Sequence, residues 1–147
     1  MQKHQFIFTP GYWIGEGKIS FSSSSAHIKF YTRWMVEPEQ DGLIVCSQQV
    51  EMQGTEEILA NRYSFSNIGP EGCDIIIENE LVTSVTGKCV IEPHTIAWEF
   101  RGHESMEGFE VYQLQENGDY EFHAEFSSTD QFRTVIDGKI WPKKLEK

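Results

Sequence analysis

Three glycines and a tryptophan alternate in the stretch Gly11-Tyr12-Trp13-Ile14-Gly15-Glu16-Gly17. Alternate residues of an extended strand face the same way, so Gly11, Trp13, Gly15 and Gly17 share one side. That side carries a single bulky side chain beside several missing ones. A strand of this kind bends sharply and lets another backbone approach closely. The stretch therefore predicts a strand that closes a barrel.

A two-residue alternation of apolar and polar side chains recurs along the rest of the chain. It is clearest from Ala26 to Glu37, where Ile28, Phe30 and Trp34 fall on one face. The other predicted strands are Leu43 to Met52, Leu59 to Ile68, Cys73 to Glu80, Thr83 to Glu92, Thr95 to Arg101, Phe109 to Gln115, Tyr120 to Phe126 and Phe132 to Ile136.

One segment, from Thr55 to Glu57, also fits a helix start, with a threonine cap followed by acidic residues. The alternation that follows it favours a strand. Before the glycine stretch, Phe6, Ile7 and Phe8 are expected to cover one mouth of whatever follows.

Short connections rich in turn formers separate these strands, and Asn117-Gly118 and Asp137-Gly138 are the strongest hairpin signals among them. Strands joined by tight connections pair antiparallel. Closure into a barrel removes the open edges of such a meander, although a sandwich stays possible. The sequence predicts an all-β fold, a single antiparallel up-and-down β-barrel of about ten strands, forming one domain over residues 1–147. A barrel of this size has room inside for a small ligand.

The formal net charge of −11 disfavours nonspecific binding to nucleic acid or to an anionic membrane surface. No apolar run approaches the roughly 18 residues of a membrane span, which predicts no membrane insertion. Cys46, Cys73 and Cys89 show no metal-site or redox-motif spacing. Their odd number, and a start without signal-peptide character, favour reduced thiols and a cytoplasmic protein. Without a histidine or carboxylate cluster, no metal site is expected.

The opening stretch resembles known first-strand motifs. Gly11-Tyr12-Trp13 is similar to the G-x-W motif of lipocalins. With Gly15 and Gly17, the longer G-x-W-x-G-x-G resembles that of nitrobindin-like and fatty-acid-binding-protein-like barrels, which belong with the lipocalins to the calycin superfamily. The resemblance implies a cup-shaped barrel with the tryptophan packed at its closed end and a ligand inside.

The nitrobindin resemblance also implies haem bound through a histidine in the C-terminal part of the chain. The final segment, residues 139–147, contains no histidine. His123 shares its side of a strand with Glu121 and Glu125, while Phe122 and Phe126 take the apolar side. We therefore expect His123 outside the barrel and no cofactor, with haem as an alternative.

The fatty-acid-binding resemblance implies an arginine and a tyrosine on late strands that hold a carboxylate, because a guanidinium matches that anion with two hydrogen bonds. Arg133 is on a late strand, but Val135 stands where a tyrosine would follow it. Other arginines adjoin aromatic residues on earlier strands. The candidate ligand-binding residues are Arg33, Trp34, Arg62, Tyr63, Trp98 and Arg133.

The sequence leaves several classes of function open. The favoured one is a binding protein that encloses a small, mainly apolar ligand, with or without a carboxylate, and with one of the three arginines at any anionic end. A second is a small lyase or decarboxylase on the same scaffold, using a buried arginine, tyrosine and glutamate, for which Glu16 is the first candidate glutamate. A third is a protein-interaction module with an acidic surface.

Overall fold

A computed structural model describes residues 3–22, 25–80, 84–102, 106–127 and 133–143. Its strands are β1 (Gly11–Phe21), β2 (His27–Val36), β3 (Ile44–Met52), β4 (Ile58–Ser66), β5 (Gly72–Glu78), β6 (Val85–Glu92), β7 (Thr95–Phe100), β8 (Glu107–Leu114), β9 (Tyr120–Ser127) and β10 (Arg133–Pro142).

Each strand pairs antiparallel with the strands before and after it in the chain, and β1 also pairs with β10. The sheet is therefore a closed barrel. This confirms the predicted all-β, up-and-down barrel, and β4 confirms the strand that was favoured over a helix after Thr55. Within the described ranges, no helix is long and apolar enough to cross a membrane.

The junction of β1 with β10 depends on the glycines of the opening stretch. Gly17 lies opposite Gly138 in the register. A Cβ added at Gly17 would lie 2.7 Å from the Gly138 Cα and 2.8 Å from Phe30 Cε1, and closer still to the Asp137 carbonyl oxygen. Only a glycine lets the two backbones come this near. Gly11 has another reason to be glycine, since its φ of 143° is one that residues with a Cβ rarely adopt.

The two predicted hairpin turns have different outcomes. Asn117-Gly118 does connect β8 to β9, where the Gln115 amide donates to the Asp119 carbonyl at 2.8 Å. The prediction of a turn at Asp137-Gly138 is wrong, because β10 runs through both residues to Pro142. Gly138 allows the β10 backbone to approach β1 closely and does not reverse the chain. The Asp-Gly dipeptide alone does not distinguish these two roles.

The segment before β1 closes one end of the barrel. Phe6 and Ile7 are buried, at 0% and 1% exposure. The Phe6 ring contacts Trp13 at a centroid distance of 5.2 Å and Tyr120 at 5.6 Å. Trp13 also packs edge-on against Tyr120, at 5.6 Å. The lead-in therefore covers the mouth as expected, with Trp13 beneath it.

Candidate functional site

The strand register divides the barrel side chains into an inner and an outer set. Trp34, Tyr63 and Trp98 belong to the inner set and are at most 2% exposed. Adjacent residues of a strand point to opposite faces, so Arg33 and Arg62, beside Trp34 and Tyr63, lie outside. Arg133 pairs with Ser127 in the outer set.

All three arginines are exposed on the outer face. The expectation that one of them meets an anionic ligand group inside the barrel is therefore corrected. Along the described strands, the inner positions hold no lysine, arginine or histidine, and Glu110 is the one carboxylic acid among them.

On the outer face, Arg133 forms an ion pair with Glu125. His123 contacts Glu125 at 2.7 Å and Asp137 at 2.5 Å, which confirms its outward position. A haem inside the barrel would thus meet no histidine from the strands that are described. The absence of a cofactor remains a prediction. Among the residues in view, no group of three or more histidine, cysteine or acidic side chains is arranged to hold a metal ion.

Glu110 on β8 is a buried carboxyl group, 5% exposed, at the centre of a hydrogen-bond network. Its Oε2 accepts from Trp98 Nε1 at 2.8 Å and from the Tyr63 hydroxyl at 3.0 Å. Its Oε1 accepts from the Tyr112 hydroxyl at 2.7 Å. Burial raises the pKa of Glu110 above its ordinary value, and the three donors act in the opposite direction. Burial also raises the pKa of Tyr63 and Tyr112 well above the ordinary value.

Glu110 is not among the predicted site residues, and Glu16, the glutamate predicted first, is exposed on the outer face. The missed signal lies in the β8–β9 hairpin. A tight turn at Asn117-Gly118 sets a register in which Glu110 faces Ala124, and Ala124 belongs to the apolar face of its strand. Combining that turn with that face assigns Glu110 to the interior.

Aromatic rings surround this carboxyl group and form what we call the aromatic floor, composed of Phe6, Trp34, Tyr63, Trp98 and Tyr112. Neighbouring ring centroids in this set are 5.0 to 6.4 Å apart, for example 5.0 Å between Trp34 and Tyr63 and between Trp98 and Tyr112. Trp34 Nε1 is buried and has no hydrogen-bond partner. The floor therefore contains one unsatisfied donor, which is unusual for a buried polar group.

One wall of the interior carries polar side chains that bond to each other from strand to strand. Gln48 Nε2 donates to Thr32 Oγ1 at 3.1 Å, Asn61 Nδ2 donates to Gln48 Oε1 at 2.9 Å, and Asn79 Nδ2 donates to Asn61 Oδ1 at 2.9 Å. We call this set the inner amide ladder. Thr32 and Asn61 are each two positions from a floor residue on the same strand, so the ladder adjoins the floor on the side away from Phe6.

The ladder amides are only half-buried, unlike the floor beneath them. Several apolar side chains of the inner set are likewise partly buried against the core: Val50, Met52, Phe126 and Ile136. Solvent therefore reaches inner-facing residues in this half of the barrel. Together, the floor, the ladder and these apolar residues form a mainly apolar lining with one hydrogen-bonding wall.

A groove of about 680 Å³ lies on the other side of the sheet, across the outer faces of β1, β2, β8, β9 and β10. Its lining contains three lysines, Lys18, Lys29 and Lys139, and three acidic residues, Glu16, Glu121 and Asp137. Three cationic and three anionic side chains offer no excess of either sign to an ionic ligand, so we place the candidate site inside the barrel.

Comparisons with known proteins bear on the fold. No family model and no curated protein matches the chain. The S-type phycobiliprotein lyase CPES from Guillardia theta is similar at a TM-score of 0.70 and 7% identity, covering 94% of this chain and 90% of that one. Rv2717c from M. tuberculosis is similar at a TM-score of 0.72 and 8% identity, covering 92% of each chain. The fold is calycin-like. At these identities the similarity shows the fold alone.

Proposed function

We propose that the barrel binds a small, mainly apolar molecule in its open half, on the aromatic floor and against the inner amide ladder. The observation that carries this proposal is the ladder itself. A side-chain amide offers two donors and two acceptor sites. Within the ladder, the Gln48 amide donates one hydrogen bond to Thr32 and accepts one from Asn61. Its second N–H and the second acceptor site of its oxygen are left for a ligand.

The lining also supports a charge class for the ligand. A buried carboxylate needs a cationic or strongly hydrogen-bonding partner. The described inner positions provide no cation, and Glu110 already lies among them. We therefore propose a ligand whose buried part is neutral, with any carboxylate left at the mouth.

The enzyme alternative required an arginine beside a buried carboxyl group. The described interior has the carboxyl group, Glu110, but all three candidate arginines are outside. Binding without catalysis is accordingly the function that we propose. The similarity to a phycobiliprotein lyase supports a bilin as one ligand to try.

The proposal is tested by fluorescence titration with aminoanthracene, a neutral apolar fluorophore with an amino group, and with biliverdin. Gln48→Ala removes the central ladder amide. Gln49→Ala is the matched control, because Gln49 is the next residue on β3 and faces outward. Loss of one hydrogen bond at about 0.5–1.5 kcal/mol weakens affinity roughly 2- to 12-fold, and only in Gln48→Ala.

Trp34→Phe tests the floor in the same titration. It removes the unpaired indole N–H while keeping an aromatic ring, so a ligand that accepts from this donor should bind more weakly. The proposal fails if the wild-type protein binds neither probe, or if Gln48→Ala and Gln49→Ala change affinity equally while circular dichroism shows both folded.

A further inference from the structure

Two of the three cysteines face each other across neighbouring strands. Cys73 on β5 is the register partner of Cys89 on β6. Both side chains belong to the inner set and are 8% and 4% exposed. Cys46 on β3 is also buried, but it lies opposite Tyr63. All three are free thiols. The register thus singles out one pair of sulfurs that are neighbours in space.

The backbone bonds beside this pair define its geometry. The Ile91 amide donates to the Glu71 carbonyl at 2.8 Å, and these residues lie two positions beyond Cys89 and Cys73 in the same register. Since hydrogen-bonded pairs recur at every second position, Cys73 and Cys89 form such a pair, with Cα atoms about 5.5 Å apart. That separation is within the roughly 4.4–6.8 Å that disulfides span.

We propose that Cys73 and Cys89 are a reversible oxidation site, at which hydrogen peroxide joins the two thiols in a disulfide between β5 and β6. The proposal is independent of the ligand-binding function. The disulfide would link two strands that are consecutive in the chain and already paired. It would therefore add a covalent bond without changing the topology of the barrel.

The chemistry balances without a further reactant. The Cys73 sulfur attacks one peroxide oxygen, the O–O bond breaks, and the departing hydroxide takes the Cys73 proton and leaves as water. The Cys89 sulfur then attacks the sulfur of the resulting sulfenic acid. The S–S bond forms as the S–O bond breaks, and the hydroxyl leaves with the Cys89 proton as a second water. The two thiols lose two electrons, which reduce peroxide to water.

The two sulfurs are not equivalent, which gives the reaction its order. The Cys89 thiol hydrogen-bonds to Cys73, and this bond lowers the pKa of Cys73 while it raises the pKa of Cys89. Since the thiolate is the attacking form, we expect Cys73 to react first and Cys89 to act as the resolving thiol. In Cys46, burial raises the pKa to about 12, so that thiol stays protonated.

The test treats the folded protein with hydrogen peroxide, alkylates the remaining thiols and maps the peptides by mass spectrometry. We expect wild-type protein and Cys46→Ser to lose two hydrogens and two reactive thiols within one chain, and dithiothreitol to restore both. Cys73→Ser and Cys89→Ser should form no intramolecular disulfide. Trp98 provides a second readout, since it is the register partner of Cys89 and its fluorescence should change on oxidation.

Two results would overturn the proposal. One is a folded wild-type protein that keeps both thiols after peroxide treatment, or in which Cys73 is oxidised to a stable sulfinic acid with no disulfide formed. The other is a disulfide that contains Cys46 or links two chains. Circular dichroism before and after treatment distinguishes oxidation of the folded barrel from oxidation of an unfolded chain.

Discussion

Replacing Glu110 gives the sharpest test of the buried network. Glu110→Leu removes the acceptor of three hydrogen bonds and leaves the donors of Tyr63, Trp98 and Tyr112 buried without partners. Each buried donor left without a partner costs about 1–3 kcal/mol. The variant also removes the cost of burying a carboxyl group, which offsets part of this total. We expect a loss of about 3–6 kcal/mol in the free energy of unfolding.

Glu110→Gln is the matched variant, since the amide oxygen still accepts from Trp98 and Tyr63 and the amide nitrogen can donate to the Tyr112 hydroxyl. We expect it to lose about 2 kcal/mol less than Glu110→Leu. Urea unfolding followed by tryptophan fluorescence and circular dichroism measures both values.

The same pair of proteins has a defined pH dependence. Burial raises the pKa of Glu110 in the folded state. Below the ordinary pKa of glutamic acid, folded and unfolded chains both hold the proton. Between that value and the raised one only the folded chain does, so the wild-type stability contributed by this group falls as pH rises, by up to about 1.4 kcal/mol per pH unit. Above the raised pKa the loss is complete and constant.

Glu110→Gln lacks this titration, while its other ionisable groups are unchanged. The stability advantage of wild type over Glu110→Gln should therefore shrink as pH rises through this window, and urea curves from about pH 4 to pH 9 will show it. An advantage that grows with pH would mean that Glu110 is stabilised as a carboxylate. Equal losses for leucine and glutamine would mean that the three hydrogen bonds contribute nothing.

The remaining predictions concern the opening stretch. Gly17→Ala places a Cβ against the β10 backbone and should cost about 1–3 kcal/mol, whereas Gly69→Ala, whose nearest neighbour would be 3.8 Å away, should stay within about 0.5 kcal/mol. Equal urea midpoints for the two variants would refute close packing at the β1–β10 junction. Trp13→Ala should cost about 3–5 kcal/mol, because it empties a large buried aromatic site beside Phe6 and Tyr120. A loss under about 1 kcal/mol in the same assay would show that Trp13 does not fill that end of the barrel.

Much of the fold was predictable because the information is local. Alternation with a period of two marks each strand, and the short connections allow only antiparallel neighbours. Barrel closure was predictable from the glycines of β1, because they allow the sharp bend and the close backbone approach that a flat sheet does not need. The Asp137-Gly138 error has the same origin, because a turn and a close approach of two backbones both require glycine and the local sequence does not distinguish them.

The site was less predictable because it depends on which face of each strand is inside. The proposed set paired Arg33 with Trp34 and Arg62 with Tyr63, but adjacent residues of a strand cannot share a face. Because Trp34 and Tyr63 point into the barrel, the adjacent Arg33 and Arg62 must point outward and cannot line the interior. Glu110 required one further step, the register of a hairpin, since a glutamate by itself indicates an outer position.

The β1–β10 pairing differs from the other strand pairings in when it can form during folding. Every other pairing in the described barrel joins strands that are consecutive in the chain, so each forms as a hairpin after closing a short loop. The β1–β10 pairing joins the first and the last strand. It closes the longest loop, so its entropic cost of loop closure is the largest among the ten described strand pairings. Collapse of the hairpins onto a common apolar side can bring those ends together before they pair. We therefore expect the β1–β10 pairing to form last, and the close approach that the β1 glycines allow to be needed only when the curved sheet closes into a barrel.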